Sequence, residues 1–338
     1  MTKYTKQRLY NCVKAGILGA LLTLLTVIEE GTIQLKYPIV GFISGFLTGV
    51  FELFIYRDRL RNINFFIGLL IKSVSYTITV YVLILFVLSL VYRITGNLDA
   101  ANILDNFINK EFLMITIQAF KGTIFIVFLF QLDALLGDGT FRKYVFGKYH
   151  KPRKQDMVFM FLDVKSSTKL AETLGDEMYY SLIDDFFHDI SEPIIDSDAE
   201  IYKYVGDEVI ICWPIEKGLA SPTAVDLFYN IRHKIRKRRD HYITRYGVIP
   251  EFKAGIHEGS VITALIGDIR KEIVYNGDVL NTAARLQELC NEYDAGLLIS
   301  DSLYHKLKWT GRYAAKSLGT IQLKGKLKPM EVFQIEEH

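Results

Sequence analysis

Ile201-Tyr202-Lys203-Tyr204-Val205-Gly206-Asp207-Glu208-Val209-Ile210-Ile211 reads as two strands joined by a tight turn. Gly206 supplies the permissive backbone, and Asp207 sits at the tip. Upstream, the apolar run Val158-Phe159-Met160-Phe161-Leu162 ends at Asp163, the pattern of a buried strand with a carboxylate at its end. Strands this close in sequence near 201–212 require a mixed sheet, not a purely parallel one. Outward from there the pattern alternates. A helix is expected over Tyr179 to Ile190, and another over about 223–239 with Val225, Phe228, Ile231 and Ile235 as its buried stripe. Strands are expected over Phe252 to Ile256, Val261 to Ile266, Thr320 to Lys324 and Met330 to Ile335, with a helix starting near Asn281. This order predicts an α+β domain on a ferredoxin-like mixed sheet flanked by helices. Two strand-end carboxylates that converge would make a Mg²⁺ site for phosphate chemistry.

The rest of the chain has another character. Half of the 338 residues are apolar, and long apolar runs crowd the first 136 or so. Runs near 9–28, 37–56, 66–92 and 112–136 reach the roughly 20 residues that span a bilayer. They predict an α-helical transmembrane bundle over 1–136, a basic linker or transducer over 137–156 and a soluble domain over 157–338. The first run lacks a small-residue cleavage site and reads as a retained anchor. Lys3, Lys6, Arg8, Arg57, Arg59, Arg61, Arg142, Lys143 and Lys148 mark the inner side, while the loop near 97–111 is acidic. Both termini and the soluble domain are thus expected in the cytoplasm, beneath the inner (plasma) membrane.

Lys14, Lys72, Lys121 and Glu52 fall inside the runs, either as ion pairs lining a cavity for an unknown ligand or as snorkelling side chains. Snorkelling suits Lys14 better; Lys121 fits either reading. No run contains histidine, which excludes a bis-histidine haem bundle, and the runs lack the Gly/Pro-interrupted pairs of transporters. The segment 141–154 reads as a solvated linker, with a hinge on anionic headgroups as the alternative. A net charge of +2 argues against nucleic acid as a partner, and the basic run Arg232 to Arg239 reads as the solvated face of a helix. Cys12, Cys212 and Cys290 have no metal-ligand spacing and read as buried thiols.

Four blocks carry a resemblance. They are Phe161-Leu162-Asp163-Val164-Lys165-Ser166-Ser167-Thr168, Lys203-Tyr204-Val205-Gly206-Asp207-Glu208, Ala254-Gly255-Ile256-His257-Glu258-Gly259 and Gly277-Asp278-Val279-Leu280-Asn281-Thr282-Ala283-Ala284-Arg285-Leu286. In this order and spacing, over about 157–336, they resemble the class III nucleotidyl cyclases, and with four membrane runs ahead the arrangement resembles bacterial members. The resemblance implies a membrane-bound adenylyl cyclase that turns ATP into 3′,5′-cyclic AMP and pyrophosphate. It implies two Mg²⁺ or Mn²⁺ ions per site, held by Asp163, Asp207 and the carbonyl of Val164. Lys203 would read adenine, Asn281 orient the ribose, Arg285 stabilise the transferred phosphoryl and Lys324 bind the triphosphate, with Lys326 and Lys328 close enough to substitute. His257 matches a structural position. The family divides each site between two subunits, so the resemblance implies a head-to-tail homodimer. One position departs. Val274, seven residues before Asn281, stands where adenylyl cyclases place a hydrogen-bond acceptor for the adenine amino group. Glu272, Asn276 or a backbone carbonyl would have to replace it. A guanylyl or promiscuous purine cyclase, and a non-catalytic receptor with a degenerate domain, stay open as alternatives.

Overall fold

The computed structural model describes residues 3–30, 36–56, 63–95, 110–136, 151–220, 223–269, 271–326 and 328–338. The basic loop expected at 57–61, most of the acidic loop near 97–111 and most of the expected linker 137–156 lie outside them. The chain divides into two units, Met1–Arg142 and Lys143–His338.

In the first unit, α1 (Lys3–Glu30), α2 (Lys36–Phe51), α3 (Phe65–Thr95) and α4 (Lys110–Leu136) cover the four apolar runs, and a π-helical turn, Glu52–Tyr56, extends α2. Small residues decide how α1 meets α2. A Cβ on Gly19 would collide with the Gly41 carbonyl, and one on Gly45 with the Ala15 carbonyl. The two backbones therefore touch, as small-xxx-small faces allow. The repeat Gly41-x-x-x-Gly45-x-x-x-Gly49 is the sequence signal for this contact, which the apolar runs alone do not reveal.

The interior of this unit is partly polar. Glu52 Oε1 lies 2.6 Å from Lys72 Nζ, and Glu52 Oε2 accepts from the Tyr76 hydroxyl at 2.7 Å. Both charged side chains are only 9% exposed. Large apolar side chains point outward instead, among them Phe66, Leu70, Ile78 and Leu135. Lys14 is exposed, its ammonium 4.3 Å from the Tyr10 ring centroid, and Lys121 is exposed as well. The helices lend the four expected spans no support. Among the described residues, no helix is long and apolar enough to cross a membrane. α2 gives way to its π-helical turn after 16 residues, and the first half of α3 carries Lys72, Ser73, Ser75 and Thr77.

The second unit is the expected α+β domain. Its elements are β1 (Arg153–Val164), α5 (Ser167–Leu174), α6 (Asp176–Asp196), β2 (Glu200–Val205), β3 (Glu208–Pro214), α7 (Ile215–Gly218), α8 (Thr223–Lys237) and α9 (Arg239–Tyr246). There follow β4 (Phe252–Ile266), β5 (Glu272–Asn276), α10 (Asp278–Leu289), β6 (Leu297–Ser300), α11 (Asp301–Lys306), β7 (Tyr313–Ile321) and β8 (Met330–Glu337). The strands form one mixed sheet in the order β2-β3-β1-β4-β6-β8-β7, with β5 paired to β4. The β4–β6 pair is parallel, and the other pairs are antiparallel. β1 begins at Arg153, inside the segment expected as linker.

The apolar run of β1 is continuous because both faces of the strand are covered. Val158, Met160 and Leu162 pack with Phe186 of α6 and Phe228 and Ile231 of α8. Met157, Phe159 and Phe161 face the other way, with Val279 and Ala283 of α10. Burying each large side chain stabilises the fold by about 1.5–3 kcal/mol. The stripe Val225, Phe228, Ile231 and Ile235 is buried as expected. The opposite, basic face of α8 is spent on ion pairs such as Lys234–Glu192, and Arg238 just beyond it pairs with Asp189. The three cysteines are buried and form no disulfide among the described residues.

β4 is one strand where two were expected. The interrupting His257-Glu258-Gly259 looks like a turn, yet each residue is matched inside the sheet. His257 Nδ1 lies 2.7 Å from Ser300 Oγ, and Glu258 accepts from Lys306 at 2.7 Å. A Cβ on Gly259 would come 2.7 Å from Val279 Cγ2. The last hairpin also begins earlier than expected, with β7 at Tyr313.

Candidate active site

Asp163 is the penultimate residue of β1, where it faces Glu208 of β3 on one side and Lys253 of β4 on the other. The hairpin turn Gly206–Asp207 joins β2 to β3 beside it, with Gly206 at φ 63°. The two aspartates predicted from sequence therefore meet at one sheet end. Burial and the charge of Asp207 both raise the pKa of Asp163, an effect that Lys253 opposes. Burial, then Asp163 and Asp207, push Glu208 up to about 7. Val164 ends the strand, and Ser166 then turns the chain into α5 in the left-handed region, φ 57°.

Two residues at this corner carry no sequence signal of their own. Gln287 Nε2 of α10 donates to Asp163 Oδ2 at 2.9 Å. Lys253 Nζ lies 3.3 Å from the same oxygen and donates to Asn291 Oδ1 at 2.9 Å. Both are buried.

The other predicted residues lie elsewhere. Asn281 and Arg285 stand four apart on α10 and so share a face, and Arg285 pairs with Glu288. Lys203, on β2, is 3.8 Å from Glu272 of β5, both side chains well exposed. Lys324 is exposed in the loop after β7, whereas nearby Lys326 pairs with Asp278 in the first turn of α10. Among the described residues, no hydrogen bond or ion pair links Lys203, Asn281, Arg285 or Lys324 to the two aspartates. His257 is held by Ser300, and burial lowers its pKa to about 4, as befits a structural residue.

Among the described residues, no group of three or more His, Cys, Asp or Glu side chains is placed to hold a metal. The pair Asp163–Asp207 nonetheless fits a divalent cation. Asp207 Oδ2 is buried without a hydrogen-bond partner, and two carboxylates repel each other at one strand end. A hard cation with oxygen ligands would satisfy both features.

A family model described as the adenylate and guanylate cyclase catalytic domain matches residues 149–337. Adenylate cyclase 2 of Rhizobium meliloti (strain 1021) is 31% identical over 210 residues, which cover 62% of this chain and 58% of that protein. The adenylate cyclase of Anabaena cylindrica is 21% identical over 184 residues, 53% of this chain and 36% of that protein. The chain thus spans less than two thirds of these relatives' own length. Among solved structures, a bacterial light-regulated adenylyl cyclase superposes with TM-score 0.56 at 20% identity, covering 68% of this chain and 66% of that one. The adenylyl cyclase CyaB from P. aeruginosa gives 0.50 at 23% identity, covering 56% of this chain and 97% of that one. At these identities the two structures speak for the fold alone.

Proposed function

Because the chain belongs to the family of adenylate and guanylate cyclase catalytic domains, we propose that it converts ATP to 3′,5′-cyclic AMP and pyrophosphate at sites shared between two copies. One observation carries this reading. The carboxylate pair, with its unpartnered Asp207 oxygen, makes no hydrogen bond or ion pair with Asn281 or Arg285 among the described residues, which suits a site divided between two copies. A head-to-tail homodimer completes both halves twice.

Asp163, Asp207 and the carbonyl of Val164 are the residues to hold two Mg²⁺ or Mn²⁺ ions. When bound, such ions supply charge neutralisation for the triphosphate and lower the pKa of the ribose hydroxyl. The protein's own groups do the rest. The Lys203 ammonium donates to the adenine edge. The Asn281 amide orients the ribose. The Arg285 guanidinium forks across the oxygens of the transferred phosphoryl, where charge builds up, a task its planar donors suit better than an ammonium would. Lys324 takes the triphosphate tail, since Lys326 is already engaged by Asp278.

Cyclic AMP should form from ATP with full-length protein, and Asp207→Ala should abolish it. Chains carrying Asp163→Ala or Asn281→Ala should each be inactive. Their co-expression should restore about a quarter of wild-type activity, since half the dimers are mixed and each has one intact site. No recovery would sink the shared-site reading. Val274 favours a second reading, a purine cyclase that accepts GTP. The Lys203–Glu272 pair offers one donor and one acceptor, which can meet the edge of either purine. Cyclic GMP formed from GTP at a comparable rate would establish it.

The first unit is proposed as a multi-pass anchor in the inner (plasma) membrane, with the cyclase unit cytoplasmic and the bundle open to a ligand of its own. Its inside-out pattern supports this, with apolar side chains outward and the Glu52–Lys72 pair inward. The sequence adds the apolar stretch Val82-Leu83-Ile84-Leu85-Phe86-Val87-Leu88, which contains no polar residue.

A further inference from the structure

We propose that Lys253 and Gln287 are positioning residues that hold Asp163 Oδ2, so that Asp163 Oδ1 and Asp207 Oδ2 are left to bind one divalent cation. This rests on the proposed role of the two aspartates. It adds a requirement that the resemblance does not assign, since neither residue falls at a position given a role by it.

The geometry is built in three steps. First, the β1–β4 register sets Lys253 opposite Asp163. The ammonium cannot swing away, because Lys253 is 6% exposed and its Nζ is also tied to Asn291 Oδ1 at 2.9 Å. Secondly, Gln287 is 5% exposed and its amide donates to the same oxygen from α10, which packs on that face of the sheet, at 2.9 Å. Thirdly, the reach of Gln287 depends on Gly255. A Cβ there would collide with the Gln287 nitrogen, the Ala283 carbonyl and the Leu286 backbone. Only a bare strand lets α10 lie close enough for a glutamine to cross to β1. Two donors on one oxygen fix the plane of the carboxylate, while across the site Asp207 Oδ2 has no donor at all. The asymmetry is that of a ligand pair in which one oxygen is anchored by the protein and the others are reserved. Groups that orient a metal-bound carboxylate in this way commonly contribute about 10–100-fold to metal affinity.

The test uses full-length protein and Mn²⁺ as the probe. Electron paramagnetic resonance reads free against bound Mn²⁺ without nucleotide, and cyclase assays read kcat and KM separately. Gln287→Leu keeps the volume and removes the donor; Lys253→Met does the same for the ammonium. Each should weaken Mn²⁺ binding by about 10–100-fold. Each should also lower kcat at low Mn²⁺ and regain much of it at high Mn²⁺, with KM for ATP nearly unchanged. Lys253→Arg, which keeps a donor, should restore most of the affinity. A merely structural role would lower thermal stability without moving the Mn²⁺ dependence. Wild-type Mn²⁺ affinity in both Gln287→Leu and Lys253→Met would overturn the proposal. Asp207→Ala separates this failure from that of the parent reading. If Asp207→Ala loses Mn²⁺ while the other two do not, the cation site stands and the clamp falls. If Asp207→Ala binds Mn²⁺ normally, the two-aspartate site itself is wrong, and the clamp falls with it. Should Lys253→Met fail to fold, Gln287→Leu decides alone, because it leaves the Lys253–Asp163 pair in place.

Discussion

His257 shows what burial does to a side chain that ordinarily titrates near neutral pH. His257 Nδ1 lies 2.7 Å from Ser300 Oγ, which also accepts the Leu303 N–H that caps α11, and burial favours the neutral imidazole there. With burial lowering the folded pKa to about 4 from the ordinary 6.5, the unfolded chain binds a proton that the folded one refuses throughout that interval. Stability should therefore be unaffected above about pH 6.5 and fall as pH drops toward 4, by on the order of 3 kcal/mol at most. Melting temperatures across that window should decline less steeply in His257→Asn than in wild type; parallel declines would show that other groups dominate. The aspartates were legible through the four blocks that carry the resemblance, since an aspartate at a turn is by itself most often only a turn residue. Lys253 and Gln287 were not, because a buried lysine in a strand and a glutamine in a helix look like any others until the fold brings them to Asp163.

α10 combines two duties along one axis. Asn281 and Arg285 occupy its outer face, and Gln287, about 9 Å further along from Asn281, reaches the carboxylate of β1. Gly255→Ala should push the helix away, since the obstructing atoms belong to the backbone and have no rotamer to yield. A loss of roughly 1–3 kcal/mol is expected in urea denaturation, together with weakened Mn²⁺ binding. Unchanged stability would mean that α10 floats on the sheet instead of being seated there. The helices and β1 were readable from periodicity, because long amphipathic or doubly covered segments leave a strong pattern. β6, only four residues long, was not, and the polar centre of β4 concealed a continuous strand because its partners Ser300 and Lys306 come from 43 and 48 residues downstream.

The two units obey opposite solvation rules. In Lys143–His338 most charges are outside, Lys253, Glu258, Asp185 and Asp189 excepted, and most large apolar residues inside; in Met1–Arg142, Glu52 and Lys72 are inside while Phe66 and Leu135 are out. Full-length protein should accordingly sediment with membranes and need detergent for release, whereas a chain of residues 143–338 should not. Recovery of the full chain in the aqueous fraction would remove the anchor from the account. Lys72→Met should destabilise the detergent-solubilised protein by roughly 3–5 kcal/mol, by stranding a buried carboxylate. Adding Glu52→Gln to the same chain should restore most of that loss, read as the temperature of aggregation. Composition made the contrast between units visible; the pairing of Glu52 with Lys72 was not, because the two stand 20 residues apart on different helical segments.

The Asp163–Lys253 pair also bears on how the sheet assembles. It is the penultimate rung of the antiparallel β1–β4 ladder, which runs from Arg153↔Thr263 to Val164↔Phe252. A slip of one residue would set Asp163 against Ala254 or Phe252 and strand both charges in apolar surroundings. The same carboxylate that is proposed to hold a cation thus acts as a proofreading mark, accepting only the alignment that brings it to Lys253.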